Sequence, residues 1–305
     1  MERHRKRLHY AWIIALTGLT VGITAIGFAR FSYAMILPSM KDGLGLSYTQ
    51  TGLLATANFV GYSLFTLIGG FVLARFGVRR LITFSLFVVS ASMILTGISQ
   101  TFEEAFFFRF LTGMGSGGSN VPRFALTALW FNSQLRGLAM GMQLTGDGVG
   151  LTIGGLVIPE ILKMHGVEGW RYSWYTLGAS TLITVLLSYL LLRDRPEEKG
   201  LKPLGRENFN QRNERKPPAV MTDNNPFKDF TLYHLGLVYF TFGFTYIIYA
   251  TFFTVYLERE IGLSVELAGW LWSFVGLMGI GSAFIWGTVS DKIGRGRSLA
   301  GVYLI

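Results

Sequence analysis

Long apolar segments alternate with short polar turns along most of the chain. Eight of them are long enough to cross a membrane as α-helices, which takes about 20 residues for roughly 30 Å of hydrocarbon. They run approximately over residues 10–37, 49–74, 81–100, 105–130, 137–160, 171–192, 231–257 and 266–288. A ninth begins after Arg297 and is too short to cross a bilayer before Ile305. The pattern predicts an all-α, polytopic transmembrane bundle.

A polar stretch interrupts this series after the sixth segment. Residues 193–230 are charged, contain proline and hold few apolar side chains, which is typical of a linker. We therefore expect three regions. They are an N-terminal six-helix half over 1–192, a cytoplasmic linker over 193–230 and a partial second half over 231–305 with helices 7, 8 and the start of 9.

A polar motif occurs twice in the chain. The block Gly70-Phe-Val-Leu-Ala-Arg-Phe-Gly-Val-Arg-Arg80 returns as Gly287-Thr-Val-Ser-Asp-Lys-Ile-Gly-Arg-Gly-Arg297, at an offset of 217 residues. The same offset relates Gly45-Leu-Ser47 to Gly262-Leu-Ser264. The same offset at separated places in the chain indicates a duplicated membrane unit. This is the pattern of secondary transporters that are built from two halves.

The repeated block resembles the loop between the second and third helices in each half of the major facilitator superfamily. The resemblance implies a transporter that works by alternating access, with a gate formed by charge contacts of this loop. The gating residues are then Gly70, Arg75, Gly77, Arg79 and Arg80 in the first copy and Gly287, Asp291, Lys292, Gly294 and Arg295 in the second. Ala74 stands where the family usually has Asp, so the first-copy gate is expected to lack its carboxylate.

Composition narrows the function classes. Half of the residues are hydrophobic and 15% are charged, and the mean hydropathy is +0.42, as in membrane proteins. The formal charge of +9 comes from basic residues gathered in alternate loops, which argues against nucleic-acid binding. Cysteine is absent and no histidine pair has ligand spacing, so we expect no metal and no cofactor. The sequence contains no H-E-x-x-H, G-x-S-x-G or paired-carboxylate motif, so we do not expect an enzyme.

The loop charges also predict an orientation. The N-terminus and the even-numbered turns hold 20 Lys and Arg residues, against four in the opposite loops. The positive-inside rule then places the N-terminus in the cytoplasm, in a multi-pass protein of the inner membrane. We expect it to be a monomer within the lipid bilayer.

Three arginines lie inside predicted spans, where a charge is costly and usually faces a cavity or a partner. Arg109 opens an R-x-x-x-G-x-G stretch that resembles the family's fourth helix, which implies a role in ion coupling or solute binding. Arg123 follows at a spacing that puts it close to the same helix face. Arg30, late in the first span, is expected near the outer mouth of the pathway. Alternatively, each arginine is held in a helix–helix hydrogen-bond network.

Asp147, in the glycine-rich fifth span, is the best-placed carboxylate within the predicted helices. Burial in a membrane disfavours the charged carboxylate, so Asp147 is a candidate proton carrier. It can instead pair with Arg123, which should lie at a similar depth, and we favour the pair. Asn58, Asn120 and Tyr246 are further polar side chains expected along the pathway.

The stretch from Trp130 to Gly141 resembles the monocarboxylate and oxalate/formate-like branches of the family, and Phe28 to Pro38 a bacterial branch of it. Together with the arginines, this favours a small organic anion as solute. We therefore expect a secondary active transporter, coupled to a proton or another ion. Two alternatives stay open: proton-coupled efflux of hydrophobic compounds, and a truncated membrane protein that does not transport.

Overall fold

The computed structural model describes residues 9–205 and 230–304, which form a bundle of α-helices. The helices are α1 Tyr10–Leu44, α2 Tyr48–Phe76, α3 Val78–Ile98, α4 Phe102–Trp130, α5 Ser133–His165, α6 Gly169–Leu191, α7 Phe230–Arg259, α8 Val265–Ile293 and α9 Arg295–Leu304. In these two ranges β-pairing is limited to a single bridge between Phe131 and Leu204. The predicted all-α membrane fold is confirmed.

Six stretches of the described residues are long and apolar enough to cross a membrane. One of them, Ser133–Leu191, holds both α5 and α6. The helix α4 is not among the six, although it is 29 residues long. Its buried positions carry Arg109, Arg123 and a series of Gly, Ser and Thr residues. Such a helix is polar because it faces other helices rather than lipid.

The duplication detected in the sequence is present in the backbone. Gly45 ends α1 with a φ of 62°, and its equivalent Gly262 follows α7 with a φ of 78°. Gly77 ends α2 at 80°, and Gly294 separates α8 from α9 at 89°. Residues other than glycine rarely adopt this conformation, so both copies of the repeat use glycine to end the same helices.

Glycines bring α5 against two neighbouring helices. A Cβ on Gly150 would overlap the Ile23 carbonyl and the Cα of Gly27 in α1. On another face of α5, a Cβ on Gly155 would overlap the backbone of Gly269 in α8. Small residues let membrane helices approach until their backbones touch. The glycine-rich sequence of the fifth span therefore serves close packing.

Oppositely charged residues join the first six helices to α7 and α8 at the end of the bundle where α1 turns into α2, here called the α1–α2 end. Arg259, at the end of α7, forms an ion pair with Asp42 of α1. Lys163 of α5 lies 3.8 Å from the Glu266 carboxylate of α8. Positions 42 and 259 are related by the 217-residue offset. The repeat thus brings opposite charges together at equivalent positions of the two copies.

The first part of the predicted linker is folded. Residues Pro196–Lys199 form a 3₁₀ turn, and the Leu204 amide donates to the Trp130 carbonyl at 2.9 Å. This contact ties the chain after α6 to the turn between α4 and α5. Residues 206–229 lie outside the described part of the chain, and the division into two halves stays a prediction.

Candidate functional site

Arg30 lies close to the middle of α1. The helix extends beyond the end predicted at residue 37, because it continues through Pro38 and ends only at Leu44. A position of Arg30 near the outer mouth stays a prediction. The segment Ile23–Phe31 around Arg30 has π-helical geometry. Such wider turns inside α-helices often mark functional sites, since they turn a side chain out of the regular ladder.

The Arg30 guanidinium lies among aromatic rings. Its central carbon is 3.8 Å from the ring centroid of Phe59 and 5.4 Å from that of Tyr62. Its Nε is buried and has no hydrogen-bond partner among the described residues. Tyr62, Tyr246 and Asp147 are close enough to interact with it electrostatically. Phe59 thus holds the cation by a cation–π contact and leaves its hydrogen-bond donors free.

Arg109 is the second cation in this region, and only 1% of its surface is exposed. Its Nη1 donates to the carbonyl oxygen of Ala29 at 2.7 Å. Its guanidinium carbon is 4.7 Å from the ring centroid of Tyr33 and 5.0 Å from that of Trp174. Two aromatic rings and a carbonyl therefore stabilise Arg109, while its Nε has no partner within the described ranges.

Arg30 and Arg109 line one cavity. The other lining residues are Phe31, Tyr33, Ala55, Asn58, Phe59, Ala250 and Thr251. The cavity is small in this conformation, at about 10 Å³, which is room for about one water molecule. None of the lining residues is acidic. Two arginines thus line a space whose lining carries no carboxylate, although Asp147 lies close enough to Arg30 to interact with it electrostatically. Such a lining suits an anion.

Arg123 does not join this pair, because it is neutralised by Asp147. Its Nη2 donates to both carboxylate oxygens of Asp147, at 2.8 and 3.1 Å, and its Nη1 to the Gly18 carbonyl at 3.3 Å. A Cβ on Gly22 would overlap both Arg123 and Asp147, so only glycine fits at this position of α1. The pair between Arg123 and Asp147 that the sequence favours is formed in the structure.

The three neutral polar candidates lie around the same region. Asn58 is buried, lines the cavity and donates from Nδ2 to the Arg109 carbonyl at 3.3 Å. Asn120 donates from Nδ2 to the Tyr62 hydroxyl at 2.8 Å. The ring of Tyr246 packs against Phe31, with centroids 6.2 Å apart. Asn58 thus supports Arg109, and Tyr246 lies near Arg30. Asn120 bonds Tyr62, whose ring borders Arg30.

Sequence reasoning missed the aromatic rings that hold both arginines. Tyr33 lies on α1 and contacts Arg109 of α4. Phe59 and Trp174 come from α2 and α6. No local pattern links them to an arginine on another helix.

A carboxylate from elsewhere in the chain contacts the first-copy loop, in which Ala74 stands at the usual Asp position. Asp194, after α6, accepts a hydrogen bond from the Arg79 amide at 2.6 Å. This carboxylate lies at the N-terminus of α3, where the helix dipole favours negative charge. The Arg79 guanidinium in turn donates to the Tyr189 carbonyl near the end of α6. The loop therefore links α3 to α6 within the first six helices.

Other members of the loop motif make fewer contacts. Gly70, Arg75 and Arg80 are exposed, and a Cβ on Gly70 would meet no described atom. No described helix therefore packs closely against Gly70 in this conformation. In the second copy, the side chains of Asp291, Lys292 and Arg295 and the surroundings of Gly287 lie outside the described part; Gly294 separates α8 from α9.

Comparison with known proteins decides the family. The family model of the Major Facilitator Superfamily matches residues 19–305. The chain belongs to the major facilitator superfamily. It is therefore a multi-pass membrane protein, as the apolar helices also indicate.

Similar superfamily members include two bacterial transporters. The hexuronate transporter of Bacillus subtilis (strain 168) is 24% identical over 90% of the chain and 63% of its own length. The probable sulfoacetate transporter of Cupriavidus necator is 23% identical over 87% of the chain and 61% of its own length. The chain thus spans about three fifths of these relatives.

A solved structure shares the fold. A bacterial homologue of the human lysosomal transporter Spinster, in an inward-facing and unoccupied conformation, matches with a TM-score of 0.72 at 20% identity. The match covers 94% of the chain and 64% of that protein.

Proposed function

We propose that the chain belongs to a secondary active transporter that carries a small organic anion by alternating access. One observation carries the solute class: Arg30 and Arg109 line a single cavity that has no acidic lining residue. The names of the two relatives support it, since hexuronate and sulfoacetate are both organic anions. Family membership favours transport over enzymatic catalysis.

Arg30 is the better candidate for direct contact with the anion. Arg109 already has two aromatic rings and a backbone carbonyl around it, whereas Arg30 has aromatic contacts and free hydrogen-bond donors. A guanidinium binds a carboxylate through two parallel hydrogen bonds, a geometry that Lys cannot provide. We infer that Arg30 binds the solute and that Arg109 adds positive potential.

The structure offers less support for efflux of hydrophobic compounds. That function suits a cavity whose charges are neutralised, and of Arg30, Arg109 and Arg123 only Arg123 forms an ion pair with a carboxylate in the described ranges. Coupling to a proton would use Asp147 only if its bond to Arg123 opened during the cycle. We infer that the pair is structural in the conformation described.

The solute class can be tested by ligand-induced thermal stabilisation of the purified chain. We expect carboxylates such as hexanoate, succinate and gluconate to raise the melting temperature, because binding to the native state alone is stabilising. Glucose and tetraphenylphosphonium serve as neutral and cationic probes and should have little effect. Stabilisation by tetraphenylphosphonium alone would contradict the anion proposal and favour efflux of hydrophobic compounds.

Alternating access and orientation can be tested together with cysteines. We infer an inner-membrane protein with a cytoplasmic N-terminus, in which the α1–α2 end faces outwards and is closed by contacts such as Asp42–Arg259. Because the chain has no cysteine, an Asp42→Cys/Arg259→Cys variant should form a disulfide without background. Each single variant should react with a membrane-impermeant maleimide from outside the cell.

The matched control for this experiment is Arg80→Cys, at an exposed position of the opposite end. It should be protected from the outside reagent. Outside labelling of Arg80→Cys would reverse the orientation, and failure of the double variant to cross-link would refute closure at the α1–α2 end.

A further inference from the structure

Asn120 has only one end of its side-chain amide satisfied. Its Nδ2 donates to the Tyr62 hydroxyl at 2.8 Å, while its Oδ1 is buried without a hydrogen-bond partner among the described residues. A buried polar atom without a partner costs free energy, and such atoms in native proteins call for an explanation. Tyr62, the partner of Asn120, also borders the cation that we assign to the solute, Arg30.

The chemistry of the missing partner follows from the amide. Tyr62 can accept a hydrogen bond from Nδ2 or donate one to Oδ1, so either orientation of the Asn120 amide leaves one end free. A free oxygen needs a donor, and a free NH₂ needs an acceptor. A hydroxyl group provides both. A carboxylate, by contrast, provides only acceptors.

Tyr62 connects this group to the cation. It lies on α2, between Asn120 of α4 and Arg30 of α1, with its ring centroid 5.4 Å from the guanidinium carbon. The Nε of Arg30 and the Oδ1 of Asn120 are both buried and without a hydrogen-bond partner among the described residues in this conformation. A ligand would reach them when the pathway opens, and could then contact both at once.

From this arrangement we propose that Tyr62 and Asn120 form a hydroxyl-binding subsite beside Arg30, so that the preferred solutes are hydroxylated carboxylic acids. The carboxylate binds Arg30, and a hydroxyl on the carbon chain bonds the free end of the Asn120 amide. The inference rests on the proposed function, because it needs an anion at Arg30. A site that bonds a solute hydroxyl discriminates against an analogue without one, since the buried amide then stays unpaired.

Two matched pairs of acids test the subsite: gluconate against hexanoate, and lactate against propionate. The dissociation constant of each is measured by calorimetry on the purified chain. We expect each hydroxylated acid to bind at least about tenfold more tightly than its partner. The affinity ratio of each pair compares the hydroxylated acid with its partner. In Asn120→Leu, which keeps the size of the side chain, this ratio should fall to about two or less, while hexanoate and propionate bind as before.

Gln143→Leu is the control variant. Gln143 also has a buried Oε1 without a described partner, but its Nε2 bonds Thr127 and its amide lies against Gly18, far along α1 from Arg30. It should leave the ratio unchanged. If Asn120→Leu does not fold, Tyr62→Phe replaces it, because this change keeps the ring beside Arg30 and removes the hydroxyl that orients the amide. It should lower the ratio as well.

The outcomes separate this inference from the proposed function. Equal affinity for the members of each pair in the unaltered chain overturns the subsite and leaves anion binding intact. An affinity ratio that is unchanged in both Asn120→Leu and Tyr62→Phe also overturns the subsite, since other residues must then recognise the hydroxyl. Absence of binding for all four acids contradicts the anion proposal itself.

Discussion

Replacing Asp147 with asparagine should destabilise the chain by about 3–5 kcal/mol, because it removes the only carboxylate that contacts buried Arg123 in the described structure. Arg123 is 1% exposed and cannot turn towards water without unpacking α1, α4 and α5. An unpaired cation would thus remain in a low-dielectric interior. The expected result is a large drop in melting temperature and in the yield of monodisperse protein from membranes.

Two further variants make this result specific. Arg123→Gln combined with Asp147→Asn should recover much of the lost stability, since neither charge is then left alone. Asp42→Asn breaks an exposed ion pair and should cost no more than about 1 kcal/mol. Additive damage in the double variant would refute the structural pair and turn attention to Asp147 as a proton carrier.

A single methyl group on Gly150 should be nearly as harmful. Gly150→Ala places a Cβ against the Ile23 carbonyl and the Cα of Gly27. These are backbone atoms of α1, which cannot rotate away as a side chain would. Overpacking of this kind costs about 1–3 kcal/mol, and a backbone contact belongs at the upper end of that range. Thermal unfolding followed by intrinsic tryptophan fluorescence would measure it.

Gly141→Ala is the control on the same helix. A Cβ there would meet no described atom within 4 Å. Alanine also favours a helix over glycine by up to about 1 kcal/mol, so this variant should be as stable as the parent or more so. Equal stability of the two variants would mean that α1 and α5 do not pack as closely as the structure shows.

The helices could be predicted from the sequence because crossing a bilayer imposes length and apolarity on each segment. The ends were less certain. Pro38 suggested an end for α1, yet a proline removes only one hydrogen bond, and the helix continues until Gly45. Because of that error, the sequence-based prediction placed Arg30 late in the helix, whereas the structure places it close to the middle. Helix α4 was found from its length, although its polar buried face lowers its hydropathy.

The candidate site was predictable in part. Arg123 and Asp147 could be paired in advance, since both positions lie at a similar depth of adjacent helices. The surroundings of Arg109 could not, because Trp174 comes from α6 and no sequence spacing relates the two residues. Asp194 likewise follows α6 and contacts a loop more than 100 residues earlier, as its bond to Arg79 shows. Such contacts depend on how the helices assemble.

The central claim is that an organic anion binds at Arg30, and the affinity for the most stabilising carboxylate tests it most directly. Arg30→Gln should weaken binding by about 100-fold and Arg30→Lys by about tenfold, because Lys keeps the charge and loses the paired hydrogen bonds. Neither variant should lower the melting temperature of the unliganded chain greatly. Arg75→Gln, at an exposed arginine of the loop, should bind as the parent does. Undiminished carboxylate binding in Arg30→Gln would contradict the account.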